Sequence, residues 1–135
     1  VLWQNQHLRV IDACDALYPG FTRVVWAAHV VEMTDLSAAE QAELLRIVLL
    51  VEAVQRAELK PDKINLAAFG NVVPHLHWHV IPRWQGDPHF PQAVWAALPS
   101  ADAAALALQE ALRGRVQQQL NAYHQALVAR LASTL

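Results

Sequence analysis

The sequence predicts an α+β fold in which short antiparallel strands alternate with one long helix and end in a helical tail. Three observations point there. A run in which histidine alternates with large apolar residues, His75 to Val80, follows a second β-like segment. A capping signature opens a helical stretch at Ser37. Beyond Trp95 the composition turns to Ala, Leu and Gln at helical spacing.

In chain order, Leu8 to Ile11 and Arg23 to Val31 read as strands, with Pro19 and Gly20 turning the chain between them. Ser37 and Glu40 form the Ser-x-x-Glu capping box of a helix that runs to about Leu59, before Pro61. Leu44, Val48 and Val51 recur on the face expected to meet the sheet, and Glu43, Arg46 and Glu52 lie on a wetter side. Lys63 to Phe69 reads as a strand that pairs with the histidine strand, and Asn71 to Pro74 makes the connection. In the tail, Leu112, Val116, Leu120, Leu127 and Leu131 fall close to one helical face. Ser100 or Asp102 is positioned to cap the start, and Gly114 is a point where the helix is expected to break.

The segment His75-Leu-His77-Trp-His79-Val-Ile-Pro-Arg83 carries the chemistry. On a strand, alternate residues share a face, so the three imidazoles leave together while Leu76, Trp78 and Val80 pack into the core. Metal binding is one reading, since neutral imidazole is a common ligand. At about 3.3 Å rise per residue, however, His75 and His79 stand roughly 13 Å apart, too far to share one zinc ion without a bend. Cys14 is the only thiol, and no second closely spaced histidine pair exists. A solvated sheet face is the second reading, weakened by three of the seven histidines falling within five residues. The third is nucleophilic and acid–base catalysis, which suits a side chain that titrates near neutrality.

His75 to Ile81 resembles the signature of the histidine triad (HIT) proteins, His-φ-His-φ-His-φ-φ with φ apolar, at every position. Asn65, Gly70 and Asn71 precede it much as an Asn and a Gly-Gln pair do in that family, and Tyr18 to Phe21 followed by Thr22 to Trp26 is similar to its Pro-Gly turn and next strand. The chain looks most like bacterial members with the His-Leu-His-Trp-His-Val-Ile-Pro-Arg string. The resemblance implies a five-stranded antiparallel sheet in residues 1–98, with residues 99–135 as a helical extension of the same domain. It also implies a homodimer in which two sheets join. The implied activity is hydrolysis or transfer at the α-phosphorus of a nucleotide derivative, a dinucleoside polyphosphate or nucleoside phosphoramidate, without a metal or other cofactor in the site. His77 would attack phosphorus and carry a covalent nucleotidyl group, His79 would contact phosphate and help protonate the leaving group, and His75 would belong to the orienting network.

Asn71, Asn65 and Gly70 are the phosphate-side positions the resemblance implies. Asn71 beside Gly is equally a turn signal. Asp12 falls near the ribose-contacting position once one residue is inserted. Trp3, Leu8 and Val10 are candidate base-pocket walls. Two departures bear on turnover: Phe21 stands where many members have a further histidine, and Val72 where a Ser or Thr often touches phosphate. The alternative reading is therefore a nucleotide-binding or regulatory protein with weak or no catalysis.

Elsewhere the sequence is plainer. His29 reads as a surface or edge residue, although it is the first candidate to replace the missing histidine. His7 and His124 have no recognisable spacing. His89 lies in a Pro- and Gly-containing loop that can cover the pocket, and Arg83 either steers an anion or caps the strand in solvent. With 135 residues, 55% hydrophobic and 16% charged, one domain with a sizeable core is expected. A formal net charge of -2 offers no basic field for duplex nucleic acid. One cysteine excludes an internal disulfide and fits a reducing compartment. No apolar run reaches transmembrane length, so a cytoplasmic protein without membrane contact is expected.

Overall fold

The computed structural model describes residues 1–134. Five strands, β1 (Trp3–Gln4), β2 (Leu8–Asp12), β3 (Thr22–Trp26), β4 (Lys63–Ala67) and β5 (His77–Arg83), form one antiparallel sheet in the order β1-β2-β3-β5-β4. Two helices, α1 (Ala38–Leu59) and α2 (Ala103–Ala132), cover one face. The opposite face carries the histidines. This is the predicted α+β architecture.

Alternation sorts the side chains. Leu8 and Val10 of β2, Val24 and Trp26 of β3 and Val80 of β5 are buried beneath the helices, so Arg9, Ile11, Arg23, Val25, His77 and His79 project the other way. The capping box of α1 forms as read: Ser37 Oγ accepts from the Glu40 N–H at 3.2 Å and Glu40 Oε1 from the Ser37 N–H at 2.8 Å. Leu44, Val48 and Val51 are buried. The helix stops at Lys60, whose φ of 51° is left-handed, just before Pro61. Between β2 and β3, Gly20 holds φ +91°, and a Cβ there would stand 2.7 Å from Leu59 Cδ1. The Pro-Gly turn thus lets the chain pass under the end of α1.

Three boundaries differ from the sequence reading. β3 ends at Trp26 rather than Val31, because Leu8 is its last partner on β2 and the Ala27 N–H turns aside to the His7 carbonyl at 2.7 Å. β4 ends at Ala67, opposite His79, and not at Phe69. The expected break at Gly114 is absent: α2 runs straight through it, with Leu112 packed on the core before it and Val116, Tyr123, Leu127 and Leu131 buried after it. Tertiary burial here outweighs the modest helix cost of one glycine. Asp102, not Ser100, is the cap, accepting from the Ala105 N–H at 2.8 Å.

Tyr123 was not among the apolar positions read from the sequence, yet it is fully buried and its hydroxyl meets Thr22 Oγ1 at 2.7 Å. Thr22 in turn donates to the Gly20 carbonyl at 2.8 Å, so α2 is tied to the strand that leads into the site.

Candidate active site

The site occupies half of the helix-free face. The other half is filled by Tyr18, Phe21 and Ile81, and by an ion pair buried beside them. Arg83 is 2% exposed. Its guanidinium bonds Asp87 at 2.7 Å, Asn65 Oδ1 at 2.8 Å and the Gln92 carbonyl at 2.7 Å, and lies over the rings of Tyr18 and Phe90. Arg83 is therefore an internal staple, neither a solvated cap nor an anion-steering group. Asp87 also accepts from the backbone N–H groups of Trp84 and Phe90. Burial alone would raise its carboxyl, but the bonds from Arg83, Trp84 and Phe90 hold it below the usual carboxylate range.

The remaining space is a cavity of about 730 Å³, bordered by His75, His77 and His79, by Arg9 and Arg23, and by Ile11, Val25, Phe69 and Trp95 as apolar walls. That size suits a nucleotide. β5 begins at His77, so His75 is not part of the alternating strand as predicted. It sits in a bend whose N–H donates to the Val73 carbonyl at 2.8 Å, and it reaches the same cavity from there.

Hydrogen bonds assign the three tautomers. His77 Nδ1 lies 2.6 Å from the His75 carbonyl oxygen, which only accepts, so Nδ1 carries the proton and Nε2 keeps a free lone pair. His75 Nε2 donates to the Trp26 carbonyl at 2.5 Å, leaving its Nδ1 to accept from His29 Nδ1 at 3.0 Å. Arg23 Nε donates toward His79 Nδ1 at 3.4 Å, which puts the His79 proton on Nε2. One imidazole is thereby left with an unprotonated Nε2 and another with a neutral Nε2–H donor.

His79 is 6% exposed. Edge-on rings enclose it: His77 at 4.8 Å, Trp95 at 5.0 Å and Phe21 at 5.6 Å between centroids. That burial, with the neighbouring His77 and Arg23 adding to it, pushes its pKa down to about 4. In the free protein at neutral pH, His79 has no second proton to give. Phe21, which stands in place of a further histidine, contributes to this dry wall.

The other predicted site residues divide. Gly70 and Asn71 border the cavity, on the loop after β4, and Val72 stands beside them, 94% exposed. Asn65 does not border it; its side chain is held by Arg83. Asp12 points to the helix side of the sheet, where His124 Nε2 lies 3.7 Å away and the Cys14 N–H bonds Oδ1 at 2.8 Å, so the geometry does not support a ribose contact. Leu8 and Val10 are fully buried in the core, and Trp3 packs against that core, so none of the three is a pocket wall. The alternation that buries Leu8 and Val10 puts Arg9 and Ile11 on the site side instead. His89 does not cover the pocket: it is buried against Tyr18, 2.7 Å from its hydroxyl. Ala93 and Trp95 take that place. His7 pairs with Glu43 at 2.8 Å, outside the site.

Arg9 and Arg23 were missed by the sequence reading. The signal was present, because each occupies an outward position between two buried residues, Arg23 on the strand next to the triad and Arg9 on the strand beyond it.

The HIT domain family model matches residues 1–86. A curated relative from Mycobacterium tuberculosis named AP-4-A phosphorylase is 36% identical over 78 residues, covering 53% of this chain and 40% of the relative. Bis(5'-adenosyl)-triphosphatase from Saccharomyces cerevisiae is 26% identical over 91 residues, 63% of this chain and 44% of that protein. The chain thus spans less than half the length of these relatives. Among solved structures, a histidine triad protein from Bradyrhizobium japonicum superposes with a TM-score of 0.66 at 30% identity, covering 88% of each chain. A histidine triad protein from Marinobacter aquaeolei gives the same TM-score, identity and coverage. With the triad on the open face of this sheet and the family model matching residues 1–86, the chain belongs to the HIT domain family.

Proposed function

We propose that this protein hydrolyses, or transfers from, a nucleotide derivative at its α-phosphorus through a covalent nucleotidyl-His77. The observation that carries the reading is the 2.6 Å bond from His77 Nδ1 to the His75 carbonyl, which turns an unprotonated Nε2 toward a nucleotide-sized cavity. In the first step Nε2 forms a bond to phosphorus and the bond to the leaving group breaks with its electron pair. In the second, water attacks phosphorus, the P–N bond breaks, and a nucleoside monophosphate and a proton are released. His79 Nε2–H and Asn71 are the donors for the phosphate oxygens. The names of the Mycobacterium and Saccharomyces relatives favour a dinucleoside polyphosphate as substrate. Assembly as a homodimer and a reducing cytoplasmic setting belong to the same reading, the latter in keeping with the exposed free Cys14.

The test is incubation with diadenosine tetraphosphate or an adenosine phosphoramidate, followed by detection of AMP and of nucleotidylated protein by mass spectrometry. Formation of both, and loss of both in His77→Ala, is the expected result. Turnover unchanged in that variant would overturn the mechanism. The second reading, nucleotide binding with weak or no catalysis, is favoured by Phe21 packing against His79 where a further histidine is missing. It predicts nucleotide affinity with no turnover of either substrate.

A further inference from the structure

The rim of the cavity carries an aromatic corner that the chemistry at phosphorus does not use. Phe69, on the loop after β4, and Trp95, on the segment after β5, meet at 4.9 Å between ring centroids and 87° between ring planes. Both border the cavity, yet Phe69 is 59% and Trp95 49% exposed, and Val72 and Val73 beside Phe69 are open as well. A single exposed apolar side chain is ordinary, but four on one cavity rim make an unfilled apolar surface. Of the bordering residues in 69–73 and 93–95, Asn71 alone has a polar side chain and none is ionisable. Trp95 is also held in place. Buried Arg83 binds the Gln92 carbonyl at 2.7 Å, and the Ala96 N–H closes a turn on the Ala93 carbonyl at 3.0 Å, which presents the indole. A ring fixed beforehand spares a ligand the cost of ordering it.

We infer that Phe69 and Trp95 form a leaving-group subsite that takes a flat, uncharged aromatic ring. The inference rests on the His77 reading, in which His79 and Asn71 hold the phosphate oxygens. Trp95 stands 5.0 Å from His79, and Phe69 is two residues from Asn71, so the two rings adjoin both phosphate donors. The other apolar walls, Ile11 of β2 and Val25 of β3, belong to strands on the opposite side of β5 from β4 and are left for the retained nucleoside. Two rings at right angles let a third stack on one and meet the edge of the other, the two arrangements that aromatic quadrupoles favour. The bond changes are those of the two steps above. The leaving atom takes the bond pair and, where it is an amine nitrogen, a proton from water; the second step returns that proton. The ring is either the second nucleobase of a dinucleoside polyphosphate or the aryl group of an aromatic phosphoramidate.

Two substrate pairs isolate the ring: diadenosine tetraphosphate against adenosine tetraphosphate, and an arylethylamine against an alkylamine phosphoramidate of adenosine. Within each pair the retained nucleotide is the same. For at least one pair, kcat/KM should be about tenfold or more higher with the ring, in the range for bases stacked on aromatic side chains. That ratio should fall toward one in Phe69→Ala and in Trp95→Ala, and be largely kept in Phe69→Tyr. Because each ratio is taken within one variant, any effect of Trp95 on His79 cancels. The pair that responds identifies the source of the ring. Ratios near one in the parent protein, or unchanged in both alanine variants, would overturn the inference even where nucleotidyl-His77 forms. Isothermal titration of His77→Ala with the same pairs and with AMP, without divalent ions, reads the subsite without turnover. Ring-dependent affinity that is lost in His77→Ala/Phe69→Ala supports the subsite even if the parent protein turns over neither pair, an outcome that overturns the hydrolase reading instead. An equal loss of AMP affinity would assign the rings to the retained nucleoside, and a changed sedimentation mass with unchanged ratios would assign them to a contact between copies; either result overturns the inference.

Discussion

His77 donates its Nδ1 proton to the backbone carbonyl of His75, two residues earlier, at 2.6 Å. The acceptor is a main-chain atom, so the tautomer of the His77 imidazole does not depend on the His75 side chain. That side chain acts one step further out, fixing the bend through the Trp26 carbonyl and His29.

The two histidines should therefore separate on substitution. His77→Ala is expected to lose essentially all turnover. His75→Ala keeps the acceptor carbonyl but loosens it, and should cost about 10–100-fold in kcat, the range for groups that orient a reacting residue. Steady-state kinetics on both variants check this, and equal losses would mean that the His75 imidazole itself acts on substrate.

Burial of His79 makes stability pH-dependent in a defined window. Its pKa is about 4 in the folded protein against 6.5 unfolded, so between these values the unfolded chain binds more protons. Stability from this group is complete above pH 6.5 and declines as pH falls toward 4. Thermal unfolding of the parent protein should show that decline, and His79→Asn should make it shallower. An identical pH slope in the two would contradict the assigned burial effect.

Trp95 is half-exposed and stands edge-on to His79 at 5.0 Å. Desolvation is the leading cause of the depressed pKa, so Trp95→Ala should admit water and move the His79 titration upward toward 6.5. Histidine ring resonances followed by NMR across pH measure it. No movement would show that Phe21 and the sheet enclose His79 without help from Trp95.

Removing Arg83 strands Asp87 in a buried site. Arg83→Met should destabilise the fold by about 3–5 kcal/mol, the cost of breaking a buried pair from one side. The double variant Arg83→Met/Asp87→Leu should recover part of that loss. Urea denaturation of the three proteins tests whether the pair is coupled as the 2.7 Å contact indicates.

Leu127 is fully buried in the core shared by α1, α2 and the sheet. Leu127→Ala should cost about 2–5 kcal/mol and lower the single transition of the whole chain. A separate early transition for α2 alone would show that the C-terminal helix is not part of the same cooperative unit.

How far the sequence reached depends on the range of the interaction involved. The capping box at Ser37, the end of α1 near Leu59 and the shared face of His77 and His79 are local patterns, written in residues a few positions apart, and each was legible. β3 was read five residues too long because its end is set by where β2 runs out of partners. Gly114 looked like a break because its helix propensity is visible in the sequence and the burial of Val116 and Tyr123 in the tertiary core is not.

By itself the sequence determined the types of the longer elements, the shared face of His77 and His79 and the HIT signature, since periodicity and spacing are one-dimensional signals. Tertiary structure alone decided the rest. Cross-strand register brought Arg9 and Arg23 beside the triad, turned Asp12 to the helix side and took Asn65 to Arg83. Packing of Phe21 and Trp95 dried His79, and a bend at His75 supplied the carbonyl that sets His77. These outcomes depend on groups far apart in the chain, whose distances and desolvation exist only once the sheet has closed.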